Sequence, residues 1–455
     1  MKIELSDQAV ITDLPVAKHF LLEDFFTILN PLFHKRLSAG YSNWGIPSSL
    51  KYYEKLKNGA IRFPIGGLPD LLKVFKSNGV NITKKDIVDN RISNPLSKSS
   101  YIECKAKLLV FQGLIKKSCM NATIGTISAP TGSGKTVTFI DLIVERREPA
   151  LILVNTVELA NQTVEKFVEF TNLTKNDIGF IGDGQFNFKS PVTVGLFQSM
   201  HTLTKEKLDI INKTVGLVVA DEVHICAAKT YYEVMTKLKS RYTYGFSATP
   251  ERPDGLTKLI FWASGPLIHT VPPDATKDIR ITPSVEVIKT NYFYPLINTD
   301  EYVFLLNDLA TNEARNKLIL EEVEKDGDET WKVLLCGRVS QIELLGNALS
   351  DSAIFLHSKL KKKERKQRMD MLISGEKRTV VSSYGIFSTG LDVPQLEILY
   401  LCSPMKSQIK IKQSAGRISR ICEGKTHAII KDFVDWKIDL LKFQYYARNR
   451  IYKKL

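Results

Sequence analysis

The run Ser128-Ala-Pro-Thr-Gly-Ser-Gly-Lys-Thr136 sets two glycines, a lysine and a threonine in the order that a phosphate cradle requires. Gly132 and Gly134 let the backbone curl so that its N–H groups point inward at phosphate oxygens. Lys135 then reaches the terminal phosphates of a bound nucleotide, and Thr136 offers its hydroxyl to Mg²⁺. The nucleotide-binding loop is accordingly Thr131, Gly132, Ser133, Gly134, Lys135 and Thr136. One departure from the general G-x-x-x-x-G-K-T pattern is Ala129 in place of the first glycine. A chance glycine-rich turn is the competing reading. Context disfavours it, because an apolar run at 124–128 precedes the loop and a helix-like segment at 137–144 follows it.

A second cluster, Asp221-Glu222-Val223-His224, ends the apolar run 217–220. Chemistry in open α/β sheets sits at the carboxyl ends of the strands. Asp221 there can hold Mg²⁺ together with Thr136, and Glu222 is poised to orient or deprotonate an attacking water. Alone, a strand-end Asp-Glu reads more readily as a solvated acidic cap; a phosphate loop upstream reverses that in favour of the catalytic reading.

The elements that must position these groups are legible as texture. Residues 1–100 mix short apolar clusters with turn signals such as Asn58-Gly59 and Gly66-Gly67. Five buried-strand candidates follow, at 124–128, 150–154, 192–196, 217–220 and 242–246, separated by helix-like segments. After a linker-like stretch at 271–278 the texture resumes, with strands expected at 332–336, 352–356, 379–382, 398–401 and 427–430. Strands alternating with helices predict parallel sheets. The expected fold class is α/β: a small N-terminal α+β domain (1–100), then two α/β domains at 101–275 and 276–455.

The 455 residues contain 63 Lys and Arg against 49 Asp and Glu, a formal charge of +14. That excess suits a polyanionic partner, nucleic acid before an anionic membrane surface; a well-solvated basic surface is the plainer alternative. Composition is that of a folded chain, with 44% hydrophobic and 25% charged residues. No uninterrupted apolar run approaches the roughly 18 residues of a membrane span. The charged start implies no signal peptide and a cytoplasmic location. Six cysteines without a C-x-x-C pair argue against a zinc ribbon or disulfide framework.

Further segments, taken in order, carry a resemblance. Asp221-Glu-Val-His224 resembles the D-E-x-H box of superfamily 2 helicases, and residues 129–136 are similar to their first motif. Ser247-Ala-Thr-Pro250 is similar to motif III, Cys336-Gly-Arg338 to motif IV, Ser388-Thr-Gly-Leu-Asp-Val-Pro394 to motif V and Gln413-Ser-Ala-Gly-Arg-Ile-Ser-Arg420 to motif VI. Motif Ia is represented by Asn155-Thr156, with Asn155 replacing the usual proline. The resemblance implies two tandem RecA-like domains with ATP and Mg²⁺ between them. It implies that Gln112 contacts adenine, Arg417 and Arg420 are arginine fingers, Gln413 touches phosphate or water, and Asp392 links the nucleotide to the strand track. Nucleic-acid contacts fall by motif position on Thr156, Gln198, His357 and Thr389; a lone strand-end histidine such as His357 is more often a hydrogen-bonded structural residue.

The variable Val223, the Ser-Ala-Thr-Pro-Glu-Arg-Pro-Asp-Gly255 segment, and the clusters Leu22-Glu-Asp-Phe-Phe26, Asn43-Trp-Gly45 and 68–75 resemble the UvsW-type branch-migration helicases of tailed phages. The implied activity is ATP-driven remodelling of branched or forked DNA in recombination, repair or replication, alongside proteins of those processes. An RNA helicase, a duplex translocase without strand separation and an ATP-gated clamp remain open alternatives, because a motor core does not distinguish them. The basic run 359–368 is a backbone track or a solvated helix face, and the aromatic-rich 442–452 a stacking surface or a packed terminal helix.

The finger assignment predicts that Arg420→Ala lowers ATP turnover more than nucleotide affinity, because its interaction is with transition-state charge. Steady-state kcat set against nucleotide Kd checks this; an equal loss in both is the contrary result.

Overall fold

The computed structural model describes residues 1–97, 101–224, 228–252, 254–295, 301–390 and 393–453. The chain divides into two compact units, one of Met1–Pro130 with Gly134–Val271, the other of Pro272–Leu455 with Thr131–Ser133.

The first unit is built on an eight-stranded sheet. Its spatial order is Gln185–Asn187, Ile178–Gly182, Val192–Leu196, Ala150–Val154, Leu217–Ala220, Tyr242–Ser247, Ile124–Ser128 and Leu267–Thr270. All neighbours are parallel except the antiparallel edge strand Gln185–Asn187. The central strands are continuous apolar runs, because helices cover both faces and neither face needs polar residues; Ala150–Val154 and Leu217–Ala220 are buried throughout. The registers Ser247↔Ser128 and Ala220↔Gly245 end Ile124–Ser128 and Tyr242–Ser247 together and Leu217–Ala220 two residues earlier, so all three loops leave the same edge of the sheet.

Residues 2–89 form a smaller mixed sheet, ordered Glu54–Lys55, Ile61–Phe63, Ala9–Thr12, Lys2–Leu5 and Ile87–Asp89. Helices His19–Phe25 and Leu68–Ser77 contribute Leu22, Leu71 and Phe75 to its core. That core continues into the large sheet's helix Thr257–Ser264 through Leu259 and Trp262. The Trp262 ring lies 5.1 Å from Phe26 and 5.6 Å from Tyr52. Gly66 is required by this approach: a Cβ there would stand 2.3 Å from the Trp262 carbonyl oxygen.

The second unit holds a six-stranded, wholly parallel sheet in the order Ser284–Lys289, Ile429–Val434, Ile398–Leu401, Lys332–Cys336, Thr379–Ser383 and Ala353–Leu356. The strand expected at 427–430 in fact runs Ile429–Val434. Its polar residues Lys431 and Asp432 are buried and paired, Lys431 with Asp326 at 2.7 Å and Asp432 with Arg448 at 2.8 Å. The stretch read as a linker contains a short 3₁₀ helix, Pro273–Ile279. The basic run lies in helix Lys362–Ile373, where Arg368 stacks 3.7 Å over the Phe355 ring and pairs with Glu364. Residues 442–452 belong to the packed helix Asp439–Tyr452, with Tyr445, Arg448 and Ile451 buried. No helix among the described residues is long and apolar enough to cross a membrane.

Trp262 is 3% exposed and joins two cores. Trp262→Ala is expected to cost about 3–5 kcal/mol of stability. Urea unfolding checks the loss, and limited proteolysis is expected to cut within residues 1–97 sooner than in the parent protein.

Candidate nucleotide site

The loop after Ile124–Ser128 turns through two left-handed glycines, Gly132 at φ +81° and Gly134 at φ +73°. Such values strain any residue with a Cβ. At Gly134 a Cβ would also stand 2.4 Å from Nε2 of Gln112. Gln112 is buried in helix Val110–Met120, and its Oε1 accepts the Leu109 N–H at 2.9 Å, which orients the amide. Ala129 is fully buried and its N–H donates to the Ser247 carbonyl at 2.9 Å. Ala129 does not adopt a positive φ, so the place of the motif's first glycine needs no glycine conformation here.

Lys135 opens helix Lys135–Arg146 and is 8% exposed. Its ammonium lies 3.0 Å from Glu222 Oε1 and 3.5 Å from the Ala129 carbonyl. A buried ammonium without an anion would be costly, so the pair is obligatory where no phosphate is bound. A phosphate oxygen can replace Glu222 as the partner of Lys135 without leaving the cation alone, and that exchange frees the carboxylate for a water.

Asp221 ends its strand, with its N–H donating to the Leu153 carbonyl at 2.9 Å. Burial, followed by the charge of Glu222, pushes the Asp221 carboxyl up to about 7 against the opposing pull of Lys135. A divalent cation would stabilise the ionised form. One buried carboxylate with a threonine hydroxyl is a fitting donor set for Mg²⁺, which takes few protein oxygens and completes its shell with phosphate and water. Asp221 and Thr136 are the residues that would hold it.

Glu222 stands at φ +49°, an uncommon conformation for a residue with a side chain. Two hydrogen bonds hold it: its N–H donates to Asp221 Oδ1 at 2.9 Å, and Asn155 Nδ2 donates to its carbonyl at 3.3 Å. Asn155, at the place of the usual proline, thus braces the acid. His224 Nδ1 lies 2.8 Å from Ser247 Oγ and 3.3 Å from Glu222 Oε2, linking the acidic box to the Ser-Ala-Thr-Pro segment. Burial pulls the His224 imidazole below its ordinary value, against the opposing pull of Glu222. Arg252 donates to the His224 carbonyl at 3.0 Å and pairs with Asp254. Sequence reasoning did not give His224, Ser247, Asn155 and Arg252 places in the site; the D-E-x-H spacing was the available signal for the histidine.

The remaining expected residues fall in several places. Thr156 caps helix Val157–Phe170, its hydroxyl accepting the Leu159 N–H at 3.2 Å. Gln198 is exposed on the short helix Phe197–His201. In the second unit, Gln413 and Arg417 lie buried on helix Gln408–Ile418, Arg417 5.8 Å over the Phe387 ring. Arg420 follows the helix, and burial pulls its guanidinium below the ordinary value. His357 is buried, 3.4 Å from Glu343 and stacked on Phe355. Asp392 lies outside the described residues, as does the side chain of Thr389.

Comparison with known proteins adds the lineage. Residues 102–252 match the family described as type III restriction enzyme, res subunit, and residues 314–422 the helicase conserved C-terminal domain. A putative ATP-dependent RNA helicase of Acanthamoeba polyphaga mimivirus is 30% identical over 72% of this chain, which spans 64% of that protein's length. The probable helicase D10 of Escherichia phage T5 is 25% identical, covering 84% of this chain and 83% of its own. The ATP-dependent DNA helicase uvsW of Enterobacteria phage T4 is 24% identical over 91% of this chain and 86% of its own. Among solved structures, S. cerevisiae Dbp5 bound to RNA and ADP BeF3 shares the fold with a TM-score of 0.51 at 17% identity, over 71% of this chain and 84% of its own. The two parallel-sheet folds are RecA-like.

Two substitutions test the site. Glu222→Gln is expected to retain nucleotide binding while turnover falls about 10²–10⁴-fold. Lys135→Ala is expected to abolish turnover and leave much of the nucleic-acid binding. Phosphate release and nucleotide binding, measured separately, check both; sustained turnover in Lys135→Ala would exclude the phosphate-loop assignment.

Proposed function

From a chain that belongs to the superfamily 2 helicases, we propose an ATP-dependent DNA helicase or translocase that remodels branched DNA, by junction migration, fork regression or duplex unwinding. The observation that carries the catalytic part is the ion pair of the buried Lys135 with Glu222 at one edge of the parallel sheet, with the buried Asp221 next to Glu222 in the chain. In this reading the loop Thr131–Thr136 and Gln112 bind ATP, and Thr136 and Asp221 hold Mg²⁺. Bound Mg²⁺ supplies charge neutralisation at the phosphates. Glu222 orients and deprotonates the attacking water, and Arg417 and Arg420, with Gln413, stabilise charge in the transition state.

The DNA part is supported by similarity to the T4 DNA helicase along 91% of this chain, a span that includes much of the region before the motor motifs. Residues 1–100 are assigned to DNA engagement. Phosphate contacts supply most non-specific affinity, and the formal charge of +14 suits them. The strand-contact assignments of Thr156, Gln198, His357, Thr389 and Asp392 rest on motif position. A second reading, RNA remodelling, is favoured by the name of the mimivirus relative.

ATP turnover in the presence of single-stranded DNA, linear duplex, a four-way junction and structured RNA, at matched nucleotide concentration and salt, separates these. Strongest stimulation by the junction is expected. Preferential stimulation by RNA would overturn the DNA reading and keep the motor chemistry; stimulation by none would overturn both.

A further inference from the structure

Between Asp24 and Glu54 the chain contains no acidic residue, while Lys35, Arg36 and Lys51 are basic. This stretch leaves the N-terminal core as an excursion: strand Thr27–Leu29 pairs antiparallel with Ser49–Lys51, and helix Pro31–Ser38 and a loop join them. The helix buries none of its side chains. Leu29, Leu32 and Leu37 are exposed, and so is Tyr41. Trp44, at the tip, is 95% exposed, the highest value of any large apolar side chain among the described residues.

A free apolar tip would ordinarily collapse onto the nearest core. Here the loop is braced instead. The Arg36 guanidinium donates to the Ser42 carbonyl at 2.7 and 3.1 Å and lies 5.7 Å over the Tyr41 ring. Asn43 Nδ2 donates to the Phe33 carbonyl at 3.1 Å, and the Trp44 N–H to Ser42 Oγ at 3.3 Å. Asn30, which caps the helix, also donates to the Pro47 carbonyl at 2.8 Å and closes the base of the loop. The indole is thus presented on hydrogen-bonded backbone, in a stretch of chain that carries cations and no acidic residue.

We propose that this excursion is a base-stacking contact for DNA. Trp44 stacks on an unpaired or newly exposed base, and the exposed Lys35 and Lys51 take flanking phosphates. An aromatic face set among cations is the chemistry that holds single-stranded nucleic acid without reading sequence. A protein partner meeting this tip would need its own acidic rim; DNA brings both the π-face and the charge. The inference rests on the DNA reading above and gives it a place on the fold.

The full chain is compared with Trp44→Ala and Trp44→Phe by anisotropy, on a labelled fork with single-stranded arms and on covalently closed duplex, which has neither ends nor unpaired bases. Trp44→Ala is expected to bind the fork about tenfold more weakly and the closed duplex within twofold of the parent. Trp44→Phe is expected to keep most of the fork affinity while losing the quench of indole emission on binding. Unchanged fork affinity in Trp44→Ala, an equal loss on both DNAs, or a loss explained by altered oligomeric mass would each overturn the proposal. If the parent protein binds neither DNA but binds structured RNA, the DNA reading itself has failed; a parent that binds the fork with an unaffected Trp44→Ala sinks only the stacking site.

Discussion

A buried ammonium must have an anion beside it, and that requirement organises the first unit. Lys135 is held off solvent by the helix it begins, and Glu222 meets it from the end of another strand. The pairing needs Ile124–Ser128 and Leu217–Ala220 to end at the same edge of the sheet, which the parallel strand order supplies. It also needs Glu222 in a backbone conformation that costs energy, offset by bonds from Asn155 and to Asp221. Ligand charge can enter here at low cost because the protein already balances a cation with an anion in the same place.

The second unit manages buried charge differently, as fixed structure. Arg315 makes two bonds to Asp435 and a third to the Cys402 carbonyl, all within buried surroundings. Arg448 pairs bidentately with Asp432, which also accepts from Tyr452. These groups tie the helices Glu313–Lys325 and Asp439–Tyr452 to the ends and middle of the sheet. Removing one partner from such a pair leaves the other charge buried and uncompensated, at a cost of about 3–5 kcal/mol. This packing accounts for Tyr445, Arg448 and Tyr452 of the final helix, while Phe443 and Tyr446 remain exposed.

At the other end of the chain the apolar surface is shared. Phe26, Tyr52 and Gly66 close on Trp262, so the small sheet and the helix Thr257–Ser264 have one core. That helix follows closely on Arg252, which bonds the His224 carbonyl. Arg252 also donates its backbone N–H to Thr257 Oγ1 at 2.8 Å, so hydrogen bonds connect that helix to the acidic box. The shared core takes Ile28 and Leu50 from the base of the excursion and leaves its helix and Trp44 uncovered.

The sequence alone determined the motor. Continuous apolar runs of four to five residues have to be buried parallel strands once helices alternate with them, and the glycine spacing of the loop admits few conformations besides a phosphate cradle. Most of the ten expected strands lie within a residue of their places for that reason. The strand expected at 427–430 stops short of its true end at Val434, because Lys431 and Asp432 look like surface residues until their partners from distant helices are present. The edge strand Ser284–Lys289 escaped because it is largely exposed. Only the tertiary structure decided that His224 joins Glu222 to Ser247, that Asn155 braces the acid, and that Trp262 lies inside while Trp44 stands outside. Periodicity reports which face of an element is apolar; it carries no information on which distant side chain arrives to satisfy a charge, or fails to arrive to cover an indole.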